Sequence, residues 1–328
     1  MGANGKQNRS ISLAISPFEN LSKGNDLEII CHSFSLDLIT ELSRFKQFQI
    51  IAPDSVGQIE NGTPNDLDLD IDYQIKGSFR ANGDAIRINA QLIDNKSKHL
   101  AWADRFEGTT DEILDIQDHL LKQVVSELQQ QLNYNLLSQI RNKPKVNLKA
   151  YECWLYGMEE VRKGSIENDI KAREYFQQAI DEEPNFSLAY SGMSLTYFNE
   201  WSCQLWGKWE VNMSEAFEWA NKAIELDEHN YVASLVLGRV LLYENTYETA
   251  EHYLRRSLKL NPNDADNLVE IASCLTFLGY NQEGWELYQR AFSLNPAGRR
   301  SYYPFGALIV LVLGVFSKAQ ELVEMTLR

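Results

Sequence analysis

Acidic and apolar residues alternate in the run DLDLDID at positions 66–72, and its four carboxylates could bind a divalent cation. A calcium loop of the EF-hand type needs Gly at its sixth position and Glu at its twelfth. Counting from Asp66 places Ile71 at the sixth position, and counting from Asp68 places Tyr73 there. Neither register fits. We therefore expect Asp66, Asp68, Asp70 and Asp72 to form a solvated face that leads into a strand.

Other residues capable of chemistry are scattered along the chain. Cysteines at 31, 153, 203 and 274 show neither a CxxC pair nor zinc spacing, so we expect reduced thiols that pack as small apolar side chains. The five histidines, at 32, 99, 119, 229 and 252, are dispersed as well. Phosphate-loop, dinucleotide, H-E-x-x-H and G-x-S-x-G motifs do not occur. We predict no catalytic residue, no metal and no cofactor.

The second half of the chain repeats itself every 34 residues. Two sets of small residues keep this step independently: Ala223, Ser257, Ala291 and Gly238, Ala272, Gly306. Small residues where paired helices cross, with a helix-ending Pro such as Pro262 or Pro296, are typical of the tetratricopeptide repeat. We predict an all-α solenoid over residues 150–328, with about four repeats and a partial fifth.

Two irregularities interrupt this period. The step from Ala179 to Ala223 is 44 residues, so the second repeat holds about ten extra residues, which we expect between its two helices around Trp201, Trp206 and Trp209. We leave open whether these tryptophans form a local core or an interaction surface. The chain stops inside a fifth repeat that opens near Tyr302, and a solenoid needs a polar capping helix at its end. We therefore expect a fragment of a longer protein.

The first helix of each repeat supplies the candidate binding residues, because such solenoids bind through the concave face that these helices line. By repeat position, we expect seven residues on this face: Met193, Tyr197, Arg239, Tyr243, Ser273, Phe277 and Tyr303. Aromatic side chains and an Arg in a groove are suited to anchoring a peptide. The alternative for each residue is packing between repeats.

The first half of the chain contains both strand-like and helix-like patterns. Strands are predicted at 10–16, 48–52, 71–81, 85–94 and 100–107, and helices at 27–45 and from 110 to about 140. Pro17–Ser22 breaks the first strand, Gly57–Asp70 reads as a polar loop, and Asn82-Gly83-Asp84 is a hairpin signal. The order β-α-β-loop-β-β-β-α predicts an α+β domain over residues 10–140, with the polar segment 141–149 as a linker.

The net charge of the chain limits the classes of molecule that it can bind. Lys and Arg total 31 and Asp and Glu 46, a net charge of −15. Residues 151–328 hold 26 acidic against 15 basic residues, and residues 1–150 hold 20 against 16. Such a surface repels phosphates, so we expect no nucleic acid bound directly by this chain. In the repeats it favours a partner segment with basic residues around an apolar anchor, and the alternative is that the charge serves only solubility.

Targeting signals are weak. The first ten residues lack the apolar core of a signal peptide, and the most hydrophobic run, Ala307–Phe316, is about half the ~20 residues that a membrane helix needs. We expect a cytoplasmic protein with no membrane contact.

The first half resembles the TolB-like N-terminal domain that accompanies tetratricopeptide repeats in bacterial signalling proteins. The matching segments are Pro17–Ser22 (PFENLS), Asp37–Arg44, Lys76–Arg80 (KGSFR) and Ile86–Gly108, continued by Asp115–Asp118. Repeats in this family open as Tyr151–Gly157 does, and the Trp206-Gly207 of the second repeat is similar. Ser33 and Asp70 depart from the family pattern, since each stands where Gly is usual.

The resemblance implies a regulatory module, because the family includes class III adenylate/guanylate cyclases and winged-helix transcriptional regulators whose output chemistry lies in a separate domain. Three hypotheses follow. The first is a non-catalytic signalling module that binds a protein or peptide through the repeat groove. The second is the regulatory half of a cyclase or transcriptional regulator whose effector domain is absent from this chain. The third is a small-molecule sensor that uses the α+β domain.

Overall fold

The fold is given by a computed structural model of the chain. The structure describes residues 10–22, 28–51, 71–132, 136–137, 146–203, 209–295 and 302–327. The predicted loop at 57–70, most of the predicted second helix beyond 132 and most of the predicted linker lie outside these residues. Leu136 and Leu137, which are described, do not belong to an α-helix. The chain divides into two compact units, built mainly from residues 1–144 and from residues 145–328.

The first unit is an α+β domain, as the order of patterns predicts. Its elements are β1 (Ile11–Ile15), β2 (Glu19–Asn20), α1 (Glu28–Ser43), β3 (Phe48–Ile51), β4 (Tyr73–Asn82), β5 (Ala85–Asp94), β6 (Leu100–Thr109) and α2 (Ile113–Leu132). The sheet order is β3-β1-β4-β5-β6, with β2 beside β4. Pairing is parallel among β3, β1, β4 and β2, and antiparallel among β4, β5 and β6.

The antiparallel meander confirms the hairpin signal at residues 82–84. Asn82 pairs with Ala85, which leaves Gly83 and Asp84 as the two loop residues. Gly83 has φ +60°, the left-handed conformation that the first central residue of a type II′ turn requires. The prediction was incomplete at 17–22, where Glu19 and Asn20 pair with Ser78 and Phe79 instead of only breaking the strand.

An aromatic core lies between the sheet and its helices. Phe18, Phe34 and Phe79 pack with ring centroids 4.9–5.8 Å apart, and all three are buried. A Cβ on Gly77 would lie 2.0 Å from the ring of Phe18, so no larger residue fits there. Two of the segments that carry the family resemblance, PFENLS and KGSFR, therefore pack directly against each other.

At Asp72 the prediction of a solvated acidic face is wrong, whereas Asp66, Asp68 and Asp70 lie outside the described residues. The side chain of Asp72 is buried and accepts hydrogen bonds from the Ser12 amide at 3.0 Å and the Ser12 hydroxyl at 3.2 Å. Lys96 Nζ lies 2.5 Å from its other oxygen. A buried carboxylate needs such partners to offset its lost hydration. Asp72 thus links β1, the start of β4 and the β5–β6 turn.

The second unit is a stack of helix pairs like those of tetratricopeptide repeats. Within the described residues there are five pairs: α3 (Leu148–Lys163) with α4 (Ile166–Glu182), α5 (Ser187–Cys203) with α6 (Trp209–Leu226), α7 (Tyr231–Tyr243) with α8 (Tyr247–Leu260), α9 (Ala265–Phe277) with α10 (Asn281–Leu294), and α11 (Tyr302–Val312) with α12 (Phe316–Leu327). We call them repeats one to five. Helix α3 begins two residues before the predicted boundary at 150.

Small residues stand where the helices approach closely, as the period predicts. The ring of Phe176 is fully buried. A Cβ added to Gly157 would lie 2.4 Å from this ring and one added to Gly192 would lie 2.6 Å from it, so both would clash. Added Cβ atoms on Gly238 and Gly306 would likewise clash with Leu254 and Tyr288. One large side chain on a second helix therefore fills the space that small residues leave on neighbouring first helices.

The extra residues of the second repeat mainly lengthen its two helices. Helices α5 and α6 have 17 and 18 residues, whereas α7 and α8 of the next repeat have 13 and 14. Trp201 lies near the end of α5 with 1% of its surface exposed, and its ring packs on Phe198 at 5.2 Å. Trp201 therefore belongs to the local core. Trp206 and the side chain of Trp209 lie outside the described residues.

Candidate partner-binding surface

All seven predicted groove residues lie on the first helices of repeats two to five, but their exposure differs sharply. Met193 and Ser273 are buried, with 5% and 6% of their surface exposed. Tyr243 and Phe277 are 54% and 60% exposed. The first two residues therefore pack inside the solenoid, while Tyr243 and Phe277 are accessible to a partner.

Tyr303 also packs inside the solenoid. It is half-buried against the cluster that Ala307, Val310, Ala319 and Leu322 form in the fifth repeat. Its repeat position was assigned wrongly, because Tyr303 lies only 30 residues after Ser273. The 34-residue step from Ser273 leads to Ala307 instead.

The predicted groove arginine has partners within the repeats. Arg239 lies over the ring of Phe198 at 4.0 Å, and its guanidinium is 3.0 Å from Glu270. Burial raises the pKa of the Glu270 carboxyl, and the Arg239 charge opposes that shift. Arg239 therefore joins the first helices of repeats two, three and four instead of standing free as an anchor.

A second buried pair joins repeats one and two. Arg173 of α4 lies 2.6 Å from Glu200 of α5 and over the ring of Tyr197 at 4.3 Å. Tyr197, the remaining predicted residue, is therefore covered on one face by a cation. The middle of the predicted groove is a packed layer of charged and aromatic side chains.

Exposed apolar side chains gather at the ends of the first helices. We call this surface the turn edge: it comprises the last residues of α7, α9 and α11, the turns that follow them, and the first residues of α8 and α12. Eight of the fifteen exposed large hydrophobic side chains of the described residues lie on it: Tyr243, Tyr247, Phe277, Tyr280, Leu311, Val312, Val315 and Phe316. Phe316 is 70% exposed.

The turn edge is built the same way in three consecutive repeats. Asn245, Gly279 and Gly314 take left-handed φ values of +61°, +93° and +78° just after the first helices. The residue after each donates its amide to a carbonyl five positions back, as Tyr280 does to Leu275 at 2.9 Å. Tyr243, Phe277 and Val312 therefore hold equivalent places, each two residues before the left-handed position.

Charged side chains border the aromatic residues of this edge. Arg255 donates to Glu251 at 2.6 Å and to Glu283 at 2.8 Å, and lies over the Tyr280 ring at 4.9 Å. The hydrogen bond from Arg255 lowers the pKa of the Glu251 carboxyl below its usual value. Since Glu244, just after α7, and Glu248, in the first turn of α8, are both exposed, the border of the edge is acidic in the third repeat.

Sequence reasoning named Tyr243 and Phe277 but missed the other six members of the turn edge. The available signal was the 34-residue step, which leads from Tyr243 to Phe277 and then to Leu311, the neighbour of the structural equivalent Val312. Tyr280 and Val315 lie in turns, where polar residues are usual, so the pattern does not point to them.

The described ranges hold neither a cluster of metal-ligating side chains nor a membrane-spanning helix. Within those ranges, His, Cys, Asp and Glu side chains do not gather in threes that could hold a metal ion. None of the helices described is both long and apolar enough to cross a membrane. Cys31 and Cys274 are buried and are not joined in a disulfide, and burial raises the pKa of the Cys274 thiol to about 12.

Comparison with protein families supports the repeat assignment. A profile described as "Tetratricopeptide repeat" matches residues 233–264, which span the third repeat. Such repeats generally mediate protein–protein interaction. The solved structure of "MamA 41-end from Desulfovibrio magneticus RS-1" is 20% identical, with a TM-score of 0.37, over 55% of this chain and 93% of that one. A thermophilic TPR protein of Thermus thermophilus is 12% identical, with a TM-score of 0.40, over 60% and 91%.

Two curated proteins are also similar to parts of the chain. "Putative adenylate cyclase 3" of Rhizobium meliloti (strain 1021) is 26% identical over 245 residues, which are 74% of this chain and 42% of that protein. "Tetratricopeptide repeat-containing protein trd-1" of Caenorhabditis elegans is 29% identical over 127 residues, 38% of this chain and 14% of that protein. The chain spans less than half the length of either relative.

Proposed function

We propose that this chain is a non-catalytic signalling module that binds a protein or peptide segment through the turn edge of repeats three to five. The supporting observation is the recurrence of exposed apolar side chains at equivalent places in three consecutive repeats. Exposed apolar side chains gathered on one surface mark interaction sites in soluble proteins. We further propose that the α+β unit is TolB-like and that the chain works in the cytoplasm, without binding nucleic acid or membrane.

The turn edge suits a segment with apolar residues flanked by basic ones. Tyr243, Phe277 and Phe316 offer large side chains that lose little conformational freedom on binding, which is typical of anchoring residues. The exposed Glu244 and Glu248 would attract a Lys or Arg of the partner. Arg255 holds Tyr280 and two carboxylates in place, so part of the edge is ordered before binding.

A peptide selection tests this proposal. Random peptides displayed on phage are selected on the full chain, and the selected peptides are measured by fluorescence anisotropy. We expect the double variant Tyr243→Ala with Phe277→Ala to bind them about tenfold more weakly or worse. The matched control is Ile170→Ala with Val211→Ala, which removes exposed apolar side chains from the second helices α4 and α6.

The result decides between the edge and other surfaces. Weaker binding in the double variant alone, with unchanged helical circular dichroism, supports the proposal. Equal binding by the double variant and the native chain would show that partners dock elsewhere. Unfolding of the double variant would show that both residues are packing residues, and the single variant Phe316→Ala, at the most exposed position, would then decide.

The second candidate is the regulatory half of an adenylate cyclase. It is favoured by the similarity of 74% of this chain to 42% of the Rhizobium protein named "Putative adenylate cyclase 3". A cyclase segment encoded in the same genomic reading frame would support it, and a frame without one would count against it. In either case we expect the purified chain to form no cyclic AMP from ATP, which a mass-spectrometric assay would detect.

A further inference from the structure

The three antiparallel strands of the α+β unit have one face away from the helices, and this face is basic. Helices α1 and α2 pack on the side of Ile88, Leu92 and Phe106, where Phe106 meets His119 of α2 with ring centroids 5.4 Å apart. Alternate residues point to the opposite side. We call that side the open sheet face: it comprises Lys76, Ser78, Arg80, Arg87, Asn89, Gln91, Ala103, Arg105 and Glu107.

Cations exceed anions on the open sheet face, although the whole chain carries a net charge of −15. Arg80, Arg87 and Arg105 lie on it with a single carboxylate, that of Glu107. Glu19 of β2 adds one more at its border, because Glu19 pairs with Ser78. Arg80, Arg87 and Arg105 are all exposed, and 60% of the Arg105 side chain is in contact with solvent.

The cross-strand register places like charges together. Arg80 of β4 is directly opposite Arg87 of β5, and like charges in that arrangement destabilise a sheet. Glu107 lies 2.9 Å from Arg87 and 3.4 Å from Arg105, so one carboxylate serves two guanidinium groups. Arg80 forms no ion pair with any residue that the structure describes. Among the described residues of this face, the two carboxylates of Glu19 and Glu107 are therefore fewer than the three guanidinium groups of Arg80, Arg87 and Arg105.

We propose that the open sheet face binds an acidic, extended segment of a protein partner, whose carboxylates pair with Arg80, Arg87 and Arg105. In an extended segment, every second side chain points the same way at a spacing of about 6.6–6.8 Å, which matches alternate residues along a strand. Arginine is suited to this role because its planar fork binds a carboxylate through two parallel hydrogen bonds.

Nucleic acid fits this face less well than an acidic peptide. Single-stranded nucleic acid is held by aromatic side chains that stack with bases, and none of the residues of the open sheet face is aromatic. Trp102, the closest tryptophan in sequence, pairs with Leu92 on the helix side. A long polyanion would extend beyond the basic patch and be repelled by the negative charge of the rest of the chain. A short acidic segment would stay within the patch.

The test uses the full chain and a fluorescein-labelled peptide of alternating Glu and Ser, twelve residues long. Anisotropy titrations are made at low salt and at about 0.3 M salt, because exposed ion pairs weaken as the Debye length shortens. A Lys-Ser peptide and single-stranded DNA of equal length are the comparison probes. We expect the Glu-Ser peptide to bind, with an affinity that falls at least about tenfold at the higher salt.

Charge reversal then locates the site. Arg80→Glu should weaken binding of the Glu-Ser peptide about tenfold, and its melting temperature should not fall because the change removes the Arg80–Arg87 repulsion. The matched control is Lys122→Glu on the exposed side of α2, which alters the net charge equally and should change the affinity less than about twofold.

Three results would overturn the proposal. The first is that the Glu-Ser peptide does not bind the native chain at low salt. The second is that Lys122→Glu weakens peptide binding as much as Arg80→Glu. The loss of affinity would then follow from the net charge of the chain and not from the open sheet face. The third is tighter binding of DNA that is lost in Arg80→Glu, which would make this face a nucleic-acid surface. Should Arg80→Glu unfold the chain, Arg105→Gln on the edge strand would be measured in its place.

Discussion

Asp169 shows at the scale of one residue how packing changes chemistry. It lies in the first turn of α4, 4% exposed, and accepts a hydrogen bond from Asn199 at 3.4 Å. Burial raises its pKa to about 6, opposed by the Asn199 hydrogen bond and the charge of Arg173, while the charge of Glu200 adds to the rise. The Arg173 guanidinium itself is held by Glu200, so Asp169 is only partly compensated.

This shift predicts a pH-dependent stability. Between about pH 4 and 6 the folded chain retains a proton on Asp169 that the unfolded chain has released, so stability falls as pH rises through this range. Asp169→Asn removes the penalty. We expect the variant to be more stable than the native chain by about 1 kcal/mol at pH 7.5 and equally stable at pH 4, measured by thermal melting.

The control for this prediction is Asp181→Asn, on the exposed part of the same helix. It should leave the pH dependence unchanged. Equal effects of the two substitutions, or a loss of stability in Asp169→Asn at both pH values, would contradict the role assigned to Asp169.

At the scale of elements, the repeat period and the hairpin signal were enough to predict the architecture, because both depend on local spacing. The small strand β2 and the burial of Asp72 could not be predicted, since each depends on a partner about 60 residues away in sequence. The same reason limited the candidate site. Ser273 and Phe277 lie one helical turn apart, and only packing from other helices buries one and leaves the other exposed.

Asp72 provides the prediction for the strands. Asp72→Ala would leave the Ser12 amide and hydroxyl without their acceptor in a buried place. We expect the melting temperature to fall, with a loss of about 2–3 kcal/mol in the free energy of unfolding. Asp84→Ala, in the exposed hairpin turn, is the matched control and should cost less than about 0.5 kcal/mol. Similar losses for both variants would refute the linking role of Asp72.

At the scale of the whole molecule, the negative charge is concentrated in the repeats. Residues 151–328 contain 26 acidic and 15 basic residues. Self-repulsion in such a region destabilises the compact state, and salt screens it. We expect the melting temperature of the full chain to rise by roughly 2–5 °C between low salt and about 0.3 M sodium chloride.

Neutralising part of the charge provides the control for this salt effect. Glu210→Gln with Glu248→Gln removes two exposed carboxylates from the second helices α6 and α8. The double variant should melt higher at low salt and respond less to added salt. A melting temperature that stays flat or falls with salt in the native chain would show that its ion pairs outweigh the repulsion.

The shared turn geometry after α7, α9 and α11 has a consequence for how this protein can change over time. Each turn has its own left-handed residue and its own exposed apolar side chains. Each of these repeats is therefore both a folding unit and a separate contact point for a partner. An in-frame duplication of one repeat would add one contact point to the turn edge. The rest of the solenoid would keep its packing, since solenoid repeats touch only adjacent copies. Gene duplication could therefore adjust the reach and strength of binding stepwise.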